Sequence, residues 1–313
     1  MKNETISIDC NRIPNVLLLG NGMLKLGNSG TSWEELIGRI RENDKVINYG
    51  CLPYAMQPEA VCGVDAEEIQ RRIAKEIKDI DEPHSLLYEL LEIPFDAIIT
   101  TNYTYEVEKI LSGGKWSSNM RRKAFTALDG NSKPNHNTYI CNMINTPDGR
   151  QVPIFHIHGE YERKHSMILS YYSYAKILSK LIEYNTKLGN SLEEHQQENR
   201  LKECQCWLDY FILGNVYSVG FGLDVSEFDI WWAIERKARE KANHGVFRAF
   251  LEGEELETKQ SILLDAMKAE HSFVSKIDGY DVMYRKIIDD IKLDFGYSID
   301  ELTTTNSNVI ICV

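Results

Sequence analysis

The chain has 313 residues, 43% of them hydrophobic, and a net charge of −12. That length suits about two domains or one large one with a sizeable core, and the acidic balance argues against binding to a phosphate backbone, so direct nucleic-acid binding is not expected. The apolar runs are too short to span a bilayer and the N-terminal MKNETISIDCNRIP lacks the pattern of a signal peptide, which makes a soluble, cytoplasmic protein the expectation. Seven cysteines are scattered without a C-x-x-C pair, so neither a zinc ribbon nor a redox motif is supported.

Strands are expected at 15–19, 97–100, 154–157, 215–219 and 246–251, where short apolar runs end in Gly, Asn or Thr. Helices are expected at 33–42, 67–80, 85–92 and 228–241, where apolar residues recur at helical spacing with charge between them. The alternation predicts an α/β fold, a Rossmann-like doubly wound parallel sheet. On that core, 34–92 and 174–208 read as helical insertions, the second broken near Gly189, and 255–313 as a C-terminal extension. The stretch 112–151 reads as a long excursion with a hairpin around Thr146-Pro147-Asp148-Gly149. The tail is expected to be helical to about Asp294 and to end in a short apolar stretch, 309–313, suited to an edge strand or a partner. The whole chain is thus expected to form one domain.

Four strand ends carry candidate chemistry. The first runs into Gly20-Asn21-Gly22, whose glycines let backbone approach a diphosphate, although Leu24 and Lys25 break a full G-x-G-x-x-G. Thr31 and Ser32 then read as the N-cap of a helix that starts at Trp33. The second ends in Thr100-Thr101-Asn102-Tyr103, which either delivers an Asn to the ligand edge of the sheet or merely ends a strand and caps a helix. In the third, His156 and His158 share one face of a strand. His156 reads as a satisfied core or interface histidine, and His158, followed by Gly159, as the functional one. No carboxylate or Cys spacing supports a metal pair. The fourth ends in Gly220-Phe221-Gly222, with amides for a ribose or phosphate. Ser226 and Asp229 next to it fit a capping pattern, with Asp229 as a helix-start charge.

With G-N-G, T-T-N-Y, H-G and G-F-G in this order, the chain resembles the sirtuin-like family over roughly residues 15–238. More specifically, the chain resembles the bacterial sirtuin-like NAD hydrolases that act as effectors in antiphage defence. The resemblance implies that Asn102 and His158 handle the nicotinamide riboside end of NAD+. It places Gly20, Asn21, Gly22, Ser32 and Trp33 in the cofactor loop, Thr101 beside the catalytic Asn, and Gly220, Phe221 and Gly222 on the adenosine side. Asp229 joins the expected cofactor-binding positions. Two departures stand out. The four-cysteine zinc module of the deacetylases is missing, so no metal is expected and protein deacylation is the weakest reading. Thr104 stands where the family usually has an Asp, with Glu106 or Asp96 as substitutes.

The activity implied is NAD+ glycohydrolysis to nicotinamide and ADP-ribose, with NAD+ as substrate, in abortive infection. His158, with the ordinary pKa of an imidazole, would serve as general base near neutral pH. Such an enzyme needs gating, so a homo-oligomer is expected, or a separate sensor subunit such as a nucleotide-binding pyrophosphatase-like protein, an ATPase or an Argonaute-like protein. The alternative from another class is a regulatory module that senses NAD or ADP-ribose without turnover.

Overall fold

The computed structural model describes residues 12–26, 30–41, 48–117, 122–124, 136–189, 206–240, 244–254 and 257–298. The expected break after Gly189 and the apolar stretch 309–313 lie outside these residues.

Among the described residues, eight strands form one sheet: β1 (Asn15–Leu19), β2 (Ala97–Thr100), β3 (Arg122–Ala124), β4 (Ile140–Asn145), β5 (Gln151–His156), β6 (Asn215–Val219), β7 (Phe247–Glu252) and β8 (Glu270–Val274). Their order is β3-β4-β5-β2-β1-β6-β7-β8. From β5 to β8 every neighbouring pair is parallel. β3 and β4 complete the sheet antiparallel beyond β5. The fold is the expected α/β, Rossmann-like arrangement with helices on both faces.

The central strands are apolar without alternation because both faces are covered. Val16, Leu17, Leu18 and Leu19 have no exposed surface, and burying each such side chain contributes about 2 kcal/mol. Val16 and Leu18 join Ala97, Ile99, Phe155 and Val216 in the core on one face. Leu17 and Leu19 join Ile98, Ile154 and Val219 on the other.

β1, β2 and β6 have the expected limits. β5 starts earlier than expected because its first residues pair with β4 across the hairpin turn, where the Thr146 N–H donates to the Arg150 carbonyl (2.9 Å). β4 is the first arm of the expected hairpin, whereas β3 and β8 lie outside the expected strands. β4 (ICNMIN) and β8 (EHSFV) interleave polar residues with apolar ones, and β8 lies at the sheet edge.

The helices of the 34–92 block follow local signals. Ser32 and Glu35 form a reciprocal capping box that starts the Trp33–Ile40 helix. Its Leu36, Ile37 and Ile40 pack with Val61, Ile69, Ile73, Met167 and Leu169 in a small core of their own. The Ser85–Glu92 helix instead turns Leu86, Leu87, Leu90 and Leu91 onto the sheet. The Tyr280–Asp294 helix ends where the sequence predicts.

β1 sits between β2 and β6, so the chain leaves it first to one side and later to the other. This reversal opens a crevice over the carboxyl ends of β1 and β6, the position where parallel α/β sheets bind ligands.

Candidate functional site

Glycine lets the two sides of that crevice approach. The Gly20 N–H donates to the Val219 carbonyl (2.9 Å), and the Gly22 N–H to the Gly220 carbonyl (2.7 Å). A Cβ on Gly20 would collide with the Gly220 backbone, and Gly220 itself has φ +65. Gly222 differs: a Cβ there would meet nothing within 4 Å, because this residue faces open space.

That space is a cleft of about 820 Å³, a volume suited to a cofactor-sized ligand. Asn21, Gly22, Trp33, Thr101, Asn102, His158, Gly220, Phe221 and Gly222 all line it, so four strand ends far apart in sequence meet at one site. Gly20, Ser32 and Asp229 are not on its wall. Gly20 lies against the Gly220 backbone, Ser32 is occupied as a helix cap, and Asp229 lies behind His158. Trp33 is fixed by a hydrogen bond from Nε1 to Gln57 Oε1 (2.8 Å).

Asn102 is 7% exposed and anchored on several sides. Its N–H donates to Thr100 Oγ1 (3.1 Å), and that hydroxyl donates to the Leu19 carbonyl (2.9 Å). Its carbonyl accepts from His156 Nδ1 (2.7 Å). The side-chain Nδ2 donates to the Gly20 carbonyl (3.3 Å), which leaves Oδ1 as the acceptor for a ligand. The Asn is therefore more than a strand-end cap, since its backbone is bound from both ends while its amide lines the cleft.

His158 is buried, with Nε2 3.0 Å from Asp229 Oδ2 and 3.5 Å from Glu227 Oε2. Burial opposes a charge on the ring, but the two carboxylates outweigh it and push its pKa up to about 9. The ordinary imidazole expected from sequence is thus corrected to a stabilised imidazolium. Tyr174 packs edge-on against the His158 ring (5.3 Å, 83°) and donates its hydroxyl to Glu227 Oε2 (2.8 Å). Burial and the neighbouring carboxylates raise the Tyr174 phenol, so it stays a donor. Burial also raises the Glu227 carboxyl, against the pull of His158.

The expected Ser226–Asp229 cap does not form. Glu227 takes the N-cap position of the Phe228–Ala238 helix, and Ser226 Oγ donates to Asp224 Oδ1 (2.5 Å). Asp229 is fully buried and faces His158. Glu227 and Tyr174 are not legible in the sequence as site residues: Glu227, like Asp229, looks like a helix-start charge, and Tyr174 belongs to a stretch that reads as an insertion. Sequence spacing hid these carboxylates from His158, about 70 residues upstream. Together His158, Glu227 and Asp229 bring their ligand-type atoms within 4.8 Å of one another. The hydrogen bond between Nε2 and Asp229 makes the group an ion-paired triad.

His156 is a satisfied core histidine, held between Asn102 and Glu108. Of the two substitutes for the Asp missing at Thr104, Asp96 is at the wrong end of β2, where it pairs with Arg12 and accepts from the Asn15 N–H (2.8 Å). Glu106 does line the cleft beside Thr104. Its carboxyl accepts from the Ile80 N–H (2.7 Å) and bonds the Thr104 hydroxyl, and burial raises its pKa.

Fold and site together define a Rossmann-type protein with a nucleotide-sized cleft at its topological switch point. The family model described as SIR2-like domain matches residues 96–270, more than half of the chain, and the protein belongs to that family. A SIR2-like domain uses NAD+ and marks an NAD-dependent enzyme. The matched span starts just before β2, so β1, the glycine loop and the whole 34–92 helical block lie outside it. A search of curated proteins finds no match. Among the described residues, no helix is long and apolar enough to cross a membrane.

Proposed function

We propose that the protein is an NAD+ glycohydrolase that cleaves NAD+ to nicotinamide and ADP-ribose. The observation that carries this reading is the convergence of the Asn102 amide and the carboxylate-held His158 on one glycine-walled cleft. The C1′–N bond breaks with its electron pair on nicotinamide, which leaves neutral, and the ribose develops oxocarbenium character. The Asp229 carboxylate behind His158 and the fixed backbone dipoles of the glycine-walled cleft favour this developing cation. Asn102 Oδ1 orients the attacking water, whose oxygen bonds C1′. The water's proton passes to the neutral form of His158, which Asp229 orients.

Nicotinamide release by the purified protein tests this reading. Asn102→Ala is expected to abolish release while ADP-ribose still raises the melting temperature. Unchanged turnover in that variant would sink the assignment.

In a cell, unrestrained NAD+ cleavage would be toxic. The reading therefore includes a gated effector of antiphage defence, active as a homo-oligomer or with a separate sensor subunit, with the helical blocks 34–92 and 174–208 as candidate interfaces. Size-exclusion chromatography with and without the product of the adjacent gene tests it. One observation favours the second reading, an NAD- or ADP-ribose-sensing module: the raised pKa of His158 keeps most of it protonated, and so not basic, at neutral pH. Thermal stabilisation by NAD+ without nicotinamide release, at neutral and alkaline pH alike, would select that reading.

A further inference from the structure

Beneath Asn102 lies a set of buried polar groups that does not face the cleft. Both nitrogens of His156 meet acceptors: Nδ1 the Asn102 carbonyl at 2.7 Å, and Nε2 Glu108 Oε1 at 2.6 Å. A backbone carbonyl has no proton to give, and a carboxylate beside the second nitrogen supplies its counter-charge, so the ring is an imidazolium donating in both directions. Glu108 is then bridged to Glu160 by Asn142, whose Nδ2 lies 2.8 Å from Oε1 of each. Glu160 follows His158 by two residues, its N–H donates to Ser166 Oγ (3.0 Å), and Arg163 Nε stands 3.8 Å from its Oε2. The edge of the Tyr105 ring closes the space beside His156 (5.6 Å).

His156, Glu108, Asn142 and Glu160 are each at most 4% exposed. They come from β5, the Glu106–Leu111 helix, β4 and the loop after His158. Burying charges in this way is costly, and stability alone is served as well by apolar residues. The arrangement does something an apolar core does not. It fixes the Asn102 carbonyl from below, while Thr100 fixes the N–H, and it ties that anchor to the loop that carries His158.

We propose that His156, Glu108, Asn142 and Glu160 are positioning residues that hold the Asn102 amide in register with His158. The claim of an effect on turnover rests on the NAD+ glycohydrolase reading; the claim about Asn102 geometry does not.

The test is Glu108→Gln, which keeps an oxygen for Asn142 and removes the charge opposite His156. Three quantities are read: kcat and KM for nicotinamide release, the Kd for ADP-ribose, and the side-chain amide NMR signals of Asn102. The expected result is a kcat lowered by about 10- to 100-fold with KM and Kd changed by no more than about threefold, together with shifted Asn102 signals. His156→Gln is expected to move the same quantities, and the double variant to be no worse than the poorer single one. A folded Glu108→Gln protein with wild-type kcat and unshifted Asn102 signals overturns the proposal. If the wild-type protein releases no nicotinamide, the glycohydrolase reading fails, and the Asn102 signals alone decide on positioning: shifted supports it, unshifted refutes it. If the variants do not fold, imidazole ¹⁵N NMR of the wild-type protein decides. Doubly protonated His156 coupled to the Asn102 carbonyl over roughly pH 6 to 8 supports the proposal, and a neutral ring overturns it.

Discussion

His158 Nε2 lies 3.0 Å from Asp229 Oδ2, and this contact orients the imidazole and, with Glu227, favours its charged form. If neutral His158 accepts the proton of the attacking water, kcat/KM rises with pH until the ring has lost its proton, near pH 9. Asp229→Asn removes the nearest counter-charge and is expected to move that limb down by about one pH unit or more. It also lowers the plateau by at least about tenfold, because the ring loses its orienting acceptor. A pH–rate profile of both proteins reads the two effects separately, and an unmoved limb would remove His158 from the role of base.

The histidines also set how stability depends on pH. The folded-state pKa of His156 and of His158 is raised from 6.5 to about 9. A raised pKa means that the folded state binds the proton more tightly than the unfolded chain does. The contribution is complete below 6.5 and is lost as pH rises through 9. Urea midpoints measured across this window are expected to fall towards alkaline pH. In His156→Gln the alkaline fall should be shallower.

Glycines of the cleft separate into two kinds. Gly220→Ala is expected to cost about 2 kcal/mol or more, from its left-handed φ of +65 and the Met23 N–H that a Cβ would meet at 2.8 Å. Gly222→Ala meets nothing and is expected to change stability by less than about 0.5 kcal/mol, while raising KM for NAD+ because the new methyl intrudes on the ligand. Melting temperatures and KM values for the two variants check the distinction.

Glu106 takes the position facing the cleft beside Thr104. Glu106→Gln retains an acceptor for the Ile80 N–H and is expected to raise KM for NAD+ without loss of stability. Glu106→Ala leaves that buried N–H unsatisfied and should cost about 1–3 kcal/mol in addition. Denaturant titration alongside steady-state kinetics distinguishes the two losses.

Much of this architecture is legible in the sequence where one physical cause dominates. β1, β2 and β6 are buried on both faces, so they read as short, mostly apolar runs that end abruptly at Gly20, Thr101 and Gly220. Asn102 and His158 stand out because each follows such a run. β8 is hidden because an edge strand can keep Glu, His and Ser. The partners of His158 are hidden for another reason. An Asp in the first turn of a helix has the same local pattern whether it serves the helix terminus or reaches across to a histidine in the turn after a distant strand. Ser32 shows the reverse case, since its N-cap signal is explained by the reciprocal bonds with Glu35.

The place of β1 in the sheet has a consequence for how the protein is made. Its Asn15 side chain accepts from Asn215, 200 positions later, and the wall opposite Gly20 is Gly220. Contacts this far apart form late, since the intervening chain must be closed into a loop first. During synthesis, the glycine loop and Asn102 emerge long before β6 exists to pair with β1. The wall that β6 supplies to the cleft is therefore missing until residue 222 has been made, and a chain stopped short of that point leaves Gly20 with nothing opposite it.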